Sequence, residues 1–174
     1  SFQWADLKRE FLAGGVVRFD ERVQVRGPAF AEDPMNVPIS VSAAGIAEVE
    51  QISVLVDRNP IRKVLDYFPV GAVPGMSFRF KLEQASPVRA AVRTRDGNWH
   101  VGGTWVDSAG GGCTAPGATR KDGSWAQTLG EVSGRLFPSS AAPGQAQPTG
   151  TRLRVRVMHP MDTGLVGGIP AFYV

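Results

Sequence analysis

Pro87-Val88-Arg89-Ala90-Ala91-Val92, followed by Asp96-Gly97-Asn98 and then by Trp99, Val101, Gly103 and Trp105 at every second position, reads as a β-hairpin. A repeat of two is the signature of a strand, whose successive side chains leave on opposite faces. Asp-Gly suits the connection, because tight hairpin turns need residues that tolerate positive φ. The same repeat occurs at Val23 and Val25, at Val37, Ile39 and Val41, and at Ile52, Val54 and Val56. It occurs again at Phe78, Phe80 and Leu82, where Arg79, Lys81 and Glu83 fill the alternate positions. Turn residues such as Glu32-Asp33-Pro34 and Asp57-Arg58-Asn59-Pro60 separate the runs. In the second of these, Asp and Asn end a strand by bonding side chain to backbone. Short strands at this spacing predict an all-β fold, an immunoglobulin-like β-sandwich over residues 16–107, with a small barrel as the alternative. Residues 1–15 hold an N-terminal helix: Trp4, Leu7, Phe11 and Leu12 fall at helical spacing and Gly14-Gly15 stops it. Trp99 and Trp105 share a strand face and read as core, the alternative being an exposed docking patch at Trp105.

Composition agrees with a folded β-protein. Of the 174 residues 43% are hydrophobic and 20% charged, too apolar for an ordinary disordered chain. No apolar run reaches the roughly 18–20 residues that cross a bilayer, so no membrane partner is expected. The 21 glycines and 13 prolines suit a fold with many turns. One cysteine excludes an intrachain disulfide and any multi-cysteine metal site. The net charge of +3 comes entirely from residues 114–174, with six basic against three acidic side chains; residues 1–113 carry thirteen of each. The basic residues are scattered or alternate along a strand, so nucleic acid is not an expected partner. The chain starts Ser1-Phe2-Gln3-Trp4 with no apolar leader in view.

Beyond the sandwich, residues 108–124 are rich in glycine and lack large apolar side chains, which predicts a loop or arm carrying Cys113. Residues 125–137 predict an extra strand or a short helix. Residues 138–150, Pro-Ser-Ser-Ala-Ala-Pro-Gly-Gln-Ala-Gln-Pro-Thr-Gly, read as a linker. In residues 151–174, Leu153, Val155 and Val157 alternate with Arg152, Arg154 and Arg156 as a strand with an arginine face in water. Twenty-four residues bury too little surface to fold alone. The strand must pair with the first domain or with another chain, or its domain continues past residue 174; the last is the expectation.

Cys113 stands in Ala109-Gly110-Gly111-Gly112-Cys113-Thr114-Ala115-Pro116-Gly117. Its neighbours are small, which predicts an exposed thiol on a pliant tether, since structural cysteines are usually packed among apolar residues. Fully extended, residues 109–112 carry the sulfur roughly 13 Å, at about 3.3 Å per residue. Such a thiol is able to enter a partner's active site and to hold a group by an exchangeable bond. The plain alternative is an incidental surface cysteine.

Gly-Gly-Cys after a β-domain resembles the carrier arm of SoxY, the sulfur-oxidation protein that works as the SoxYZ heterodimer. Val37-Pro38-Ile39-Ser40-Val41 and Ile52-Ser53-Val54-Leu55-Val56-Asp57-Arg58-Asn59-Pro60 resemble the SoxY core, and Pro87 to Val92, Asp96-Gly97 and the strand ending at Val106 continue it in order. The tail Leu153-Arg154-Val155-Arg156-Val157-Met158-His159-Pro160-Met161-Asp162-Thr163-Gly164 resembles the start of SoxZ. The order is that of fused SoxYZ-like carriers associated with quinoprotein dehydrogenases. The resemblance implies a periplasmic, non-enzymatic carrier without cofactor or metal, with two immunoglobulin-like sandwiches. It implies that Cys113 bears a sulfur-containing intermediate, that Gly110, Gly111 and Gly112 form its arm, and that sulfur-oxidation or quinoprotein dehydrogenase enzymes are its partners. Pairing, including with a second copy, would run through the SoxZ-like segment. The arm of SoxY ends its chain with two glycines after the cysteine, whereas here Thr114-Ala115-Pro116 follows and 61 residues remain. A loop held at both ends reaches less far than a tail.

Other classes make other demands. A cysteine enzyme needs a base, and His100 and His159 are the two histidines; the first reads as an edge residue and the second as part of a turn. A blue-copper site needs histidine and methionine close after the cysteine, and His159 follows 46 residues later. A structural or interaction sandwich needs no reactive thiol at all.

Overall fold

A computed structural model describes residues 2–115, 124–138 and 150–158. The expected linker apart from its two ends, residues 116–123 of the arm and the tail from His159 onward lie outside the described residues. The chain divides into two units, Ser1–Ala115 and Pro116–Val174.

The first unit has one helix, α1 (Phe2–Phe11), and nine strands. These are β1 (Val17–Phe19), β2 (Gln24–Arg26), β3 (Phe30–Ala31), β4 (Val37–Ser42), β5 (Val49–Val56), β6 (Lys63–Tyr67), β7 (Gly75–Phe80), β8 (Ser86–Thr94) and β9 (Trp99–Ser108). One sheet has the order β1-β9-β8-β5-β6, with β3 also pairing to β9; the other has the order β2-β4-β7. The all-β expectation holds, and the sheets are open rather than closed into a barrel. The six runs of alternating residues all became strands, and β1, β3 and β6 are additional.

The main core lies between the two sheets. Val37, Ile39 and Val41 of β4 meet Ile52, Val54 and Val56 of β5 and Val88, Ala90 and Val92 of β8. Fully burying each valine or isoleucine of this set contributes about 1.5–3 kcal/mol. The intervening residues Leu55 of β5 and Ala91 of β8 point to the other face. There they join Trp99 and Val101 of β9 and pack under Leu7 and Leu12 at the helical end. This explains why the larger sheet is apolar on both faces in its middle strands, since each face has its own cover. Arg89 ties this layer down. It reaches Asp57, buried just past the end of β5, through two bonds of 2.8 and 3.1 Å, and its guanidinium lies 4.6 Å from the ring centre of Trp4.

The turn at Asp96-Gly97-Asn98 forms as its chemistry predicts. Gly97 has a φ of +82°. Asp96 accepts from the Thr94 hydroxyl at 2.6 Å and from the Asn98 amide at 3.1 Å, and these donors pull its carboxyl down to about 2. Trp99 is buried as expected, but Trp105 is not: it is half exposed, donates its indole N–H to Asp107 at 2.7 Å and lies under Arg58. Trp105 belongs to neither apolar cluster, including the one that α1 caps.

In the second unit a 3-10 turn (Ser124–Gln127) precedes β10 (Val132–Pro138), where the sequence offered a strand or a short helix as alternatives. β10 pairs antiparallel with β11 (Thr151–Val157), placing Leu136 opposite Leu153 and Val132 opposite Val157. The arginine-faced strand therefore exists and has a partner within the chain. Arg152 and Arg154 both lie over the ring of Phe137.

Gly102 of β9 fixes how closely the sheets approach. A Cβ there would overlap the Val23 carbonyl. Gly102→Ala should cost about 3 kcal/mol, the upper range for inserting a methyl into a packed interior. Urea unfolding measures this, and a loss below about 1 kcal/mol would show that the sheets separate freely at this point.

Candidate functional site

The site is assembled from three segments that lie far apart in the sequence. The turn after β5 supplies Asn59. The segment leaving β7 supplies Lys81, Leu82 and Glu83. The loop after β9 supplies Gly110 to Ala115. Asn59 is buried; its side chain donates to the Lys81 carbonyl at 2.7 Å and accepts from the Glu83 amide at 2.9 Å. The Leu82 amide is satisfied by the Pro34 carbonyl at 2.8 Å. Asp57-Arg58-Asn59-Pro60 is thus more than a strand-ending turn, because it builds the floor on which the arm rests.

The arm docks on this floor. Gly110 and Gly111 have φ values of +99° and +82°, so the chain curls back instead of extending. The Gly110 amide donates to the Ser108 hydroxyl at 3.0 Å, and the Gly111 amide donates to the Glu83 carbonyl at 2.9 Å. The Glu83 carboxylate then accepts from the amides of Cys113 at 2.9 Å and Thr114 at 3.1 Å, and from the Thr114 hydroxyl at 3.1 Å. Gly112 passes between the carbonyls of Leu82 and Pro34, so closely that a Cβ would overlap both.

This overturns the expectation of an exposed thiol. Cys113 is 3% exposed, and its thiol points at the Lys81 carbonyl at 3.6 Å. The cause is non-local: the small residues beside Cys113 in sequence let the loop collapse onto the Lys81–Glu83 segment. Cys113 belongs to neither apolar cluster. Burial pushes its thiol up to about 11; the Glu83 charge adds to the rise and the Lys81 ammonium opposes it. A docked thiol is therefore almost wholly protonated at neutral pH, and so a poor nucleophile.

The other candidates are separate. His100 is buried on β9, with Nδ1 2.7 Å from Asp20 and Nε2 3.2 Å from Arg18. Arginine can only donate, so Nε2 accepts and Nδ1–H donates to Asp20. Arg22 and His100 hold the Asp20 carboxyl well below the ordinary range. His159 lies outside the described residues. Among the described residues no group of three or more His, Cys, Asp or Glu is placed to hold a metal ion. Sequence reading missed Glu83 and Lys81, which sit in an alternating run where polar residues normally face water. It also missed the buried role of Asn59.

Two outcomes follow from the docking geometry. Gly112→Ala should expel the arm and raise the rate of Cys113 alkylation by iodoacetamide at pH 7.5 by roughly tenfold or more, since thiolate access controls that rate. An unchanged rate would mean that the approach of Gly112 does not hold the loop. The thiol is raised in the folded state from 9.0 to about 11, so its docking is intact below pH 9 and is lost as pH climbs through 11. The inflection in alkylation rate should move down in Glu83→Gln and up in Lys81→Met, read from a pH series.

Comparison with known proteins supplies the family. The model of the family described as "Sulfur oxidation protein SoxY" matches residues 8–113, from the docked helix to the cysteine. No curated protein matches the chain. Among solved structures, the sulfur carrier protein SoxY from Chlorobium limicola f thiosulfatophilum is 17% identical with a TM-score of 0.53, covering 62% of this chain and 97% of that one. A superoxide reductase (neelaredoxin) from Ignicoccus hospitalis is 11% identical with a TM-score of 0.46, covering 53% of this chain and 94% of that one. With more than half of its length matched, and the match ending on Cys113, the chain belongs to the SoxY family of sulfur oxidation proteins.

Proposed function

We propose that this protein is a non-catalytic carrier that binds a sulfur-containing intermediate covalently on Cys113 and presents it to partner enzymes. The observation that carries the reading is the arm itself. The chain's single cysteine closes the family match and sits on Gly110-Gly111-Gly112, in a loop held down by hydrogen bonds to one carboxylate and nearby backbone. Family membership and the fold shared with a sulfur carrier protein support it.

The chemistry needs no external oxidant. Once the arm lifts, the Cys113 thiolate attacks a sulfur of the donor. A bond forms between Sγ and that sulfur, the bond from that sulfur to its leaving group breaks, and the electron pair departs with the leaving group. Unloading is the reverse, with a nucleophile of the second partner attacking the carried group or its sulfur. Docking keeps the thiol protonated between visits, which limits side reactions. The partners are enzymes of sulfur oxidation, and the SoxZ-like pattern of residues 151–174 supports adding quinoprotein dehydrogenases to them. The hairpin of β10 and β11 supports a pairing role for that segment, since Leu136, Leu153, Val155 and Val157 leave its apolar side more than half exposed. Periplasmic location fits a carrier working by sulfur exchange.

Cys113→Ser tests the reading. Protein recovered from a sulfur-oxidising host should carry a mass adduct that dithiothreitol removes, and the variant should lack both the adduct and pathway activity. Full activity in the variant would leave only a structural or interaction sandwich with an incidental cysteine.

A further inference from the structure

Lys81 sits just past the end of β7, between Phe80 and Leu82, which both turn into the sandwich core. The lysine is only 8% exposed. Its Nζ is completely shielded and meets no hydrogen-bond acceptor among the described residues. A shielded ammonium without an acceptor is among the costlier features a fold can retain, and lysine is rarely buried without a partner. Its own carbonyl is the group that faces the Cys113 thiol at 3.6 Å. Its charge acts on that sulfur, favouring a negative charge there.

Glu83 does not satisfy it. Both Glu83 oxygens are occupied by the Cys113 and Thr114 amides and the Thr114 hydroxyl. A carboxylate also offers no donor to an incoming anion, whereas an ammonium offers three. Among the described residues, the docking segment therefore holds one unspent cationic donor, on the residue whose own carbonyl meets the sulfur.

Resting on the carrier reading, we propose that Lys81 is the seat for the anionic end of the group carried on Cys113, so that the arm redocks with cargo whose outer end is an oxyanion. With the arm unloaded, this ammonium has no acceptor among the described residues; a loaded arm brings one. The site thereby distinguishes loaded from empty, and anionic cargo from neutral cargo of similar size.

Two chemically defined adducts on the same thiol test this. Tetrathionate gives Cys113–S–SO3−: Sγ bonds to an inner sulfur, the central S–S bond breaks, and thiosulfate leaves with the electron pair. Methyl methanethiosulfonate gives the neutral Cys113–S–CH3, with methanesulfinate leaving. In each, the thiol proton is released to solvent and the dithiothreitol cleavage rate reports how well the adduct is sheltered. Lys81→Met should speed cleavage of the anionic adduct roughly tenfold, the factor supplied by about 1.4 kcal/mol, and leave the neutral adduct unchanged. Lys81→Arg should keep the anionic adduct slow to cleave. Unloaded Lys81→Met should melt no lower than the parent, because a shielded cation without an acceptor has been removed. Lys81→Gln, uncharged but polar, repeats the comparison and should give the same split between the two adducts. Equal changes for both adducts, no change for either, or a lower melting temperature in unloaded Lys81→Met would overturn the seat and make Lys81 structural. The adducts are made by reagents, so the result is independent of partner enzymes. Pathway activity retained in Cys113→Ser would overturn carriage even where the charge selectivity is found.

Discussion

Asn59 stands where β5 has left the sandwich, and its carboxamide gives one hydrogen bond to the Lys81 carbonyl and takes one from the Glu83 amide. Those two contacts fix the segment after β7, so that the Lys81 carbonyl meets the Cys113 thiol and the Glu83 carboxylate is presented to the loop after β9. Asn59 is itself held in place because β5 is locked by Arg89 on Asp57 and by Arg58, whose amide donates to Ser86 at 3.1 Å. The chain of support thus runs from the core strands, through one buried amide side chain, to the surface on which the cysteine rests. A buried amide with both ends satisfied also restricts its surroundings to one arrangement, since any shift leaves a polar atom without a partner.

The docked arm is held by opposing effects of similar size. Three bonds to the Glu83 carboxylate at roughly 2 kcal/mol each, with three ordinary bonds at roughly 1 kcal/mol, favour docking by about 9 kcal/mol. Ordering residues 109–115 opposes it by about 1–2 kcal/mol per residue, about 10 kcal/mol in sum. Glycines lie at the costly end of that range because they have the most freedom to lose. Near balance fits the proposed carriage, which needs a loop that rests docked and lifts without unfolding the sandwich. A cysteine embedded in the apolar core, like Val54 or Val88, could not be released without opening that core.

The strands that the sequence displayed openly are those with one or both faces in a core, where burial imposes alternation. The three it concealed are short or irregular. β1 and β3 are parallel edge pairings of three and two residues, too brief to show any period. β6 meets β5 across a bulge, so its pattern slips. At the site, Cys113 and its glycines were legible because composition marks a loop. The burial of the thiol was not, because its walls come from residues about thirty positions earlier, and sequence neighbours are a poor guide to spatial ones. Lys81 was hidden by its own context. It continues the alternation of Arg79 as though it faced water, and Phe80 and Leu82 on either side do enter the core, yet Lys81 on the opposite side is covered as well. Trp105 shows the reverse, since its repeat with Trp99 was real while the cover over that face stops short.

The docked position of the thiol and the direction of its shift fit the proposed carriage better than catalysis by Cys113 within this chain. A nucleophilic cysteine enzyme lowers its thiol with a neighbouring base or cation, so that attack occurs inside its own site. Here burial and Glu83 raise it, and Lys81 only moderates the rise. The described histidine offers no remedy, because both ring nitrogens of His100 are committed to Asp20 and Arg18. On the proposed carrier reading, reactivity comes from leaving the docked position, and the act that activates the sulfur is the same act that delivers it. Docking and chemistry, on that same proposed reading, exclude one another, so the groups that assist bond making and breaking belong to whatever the arm visits.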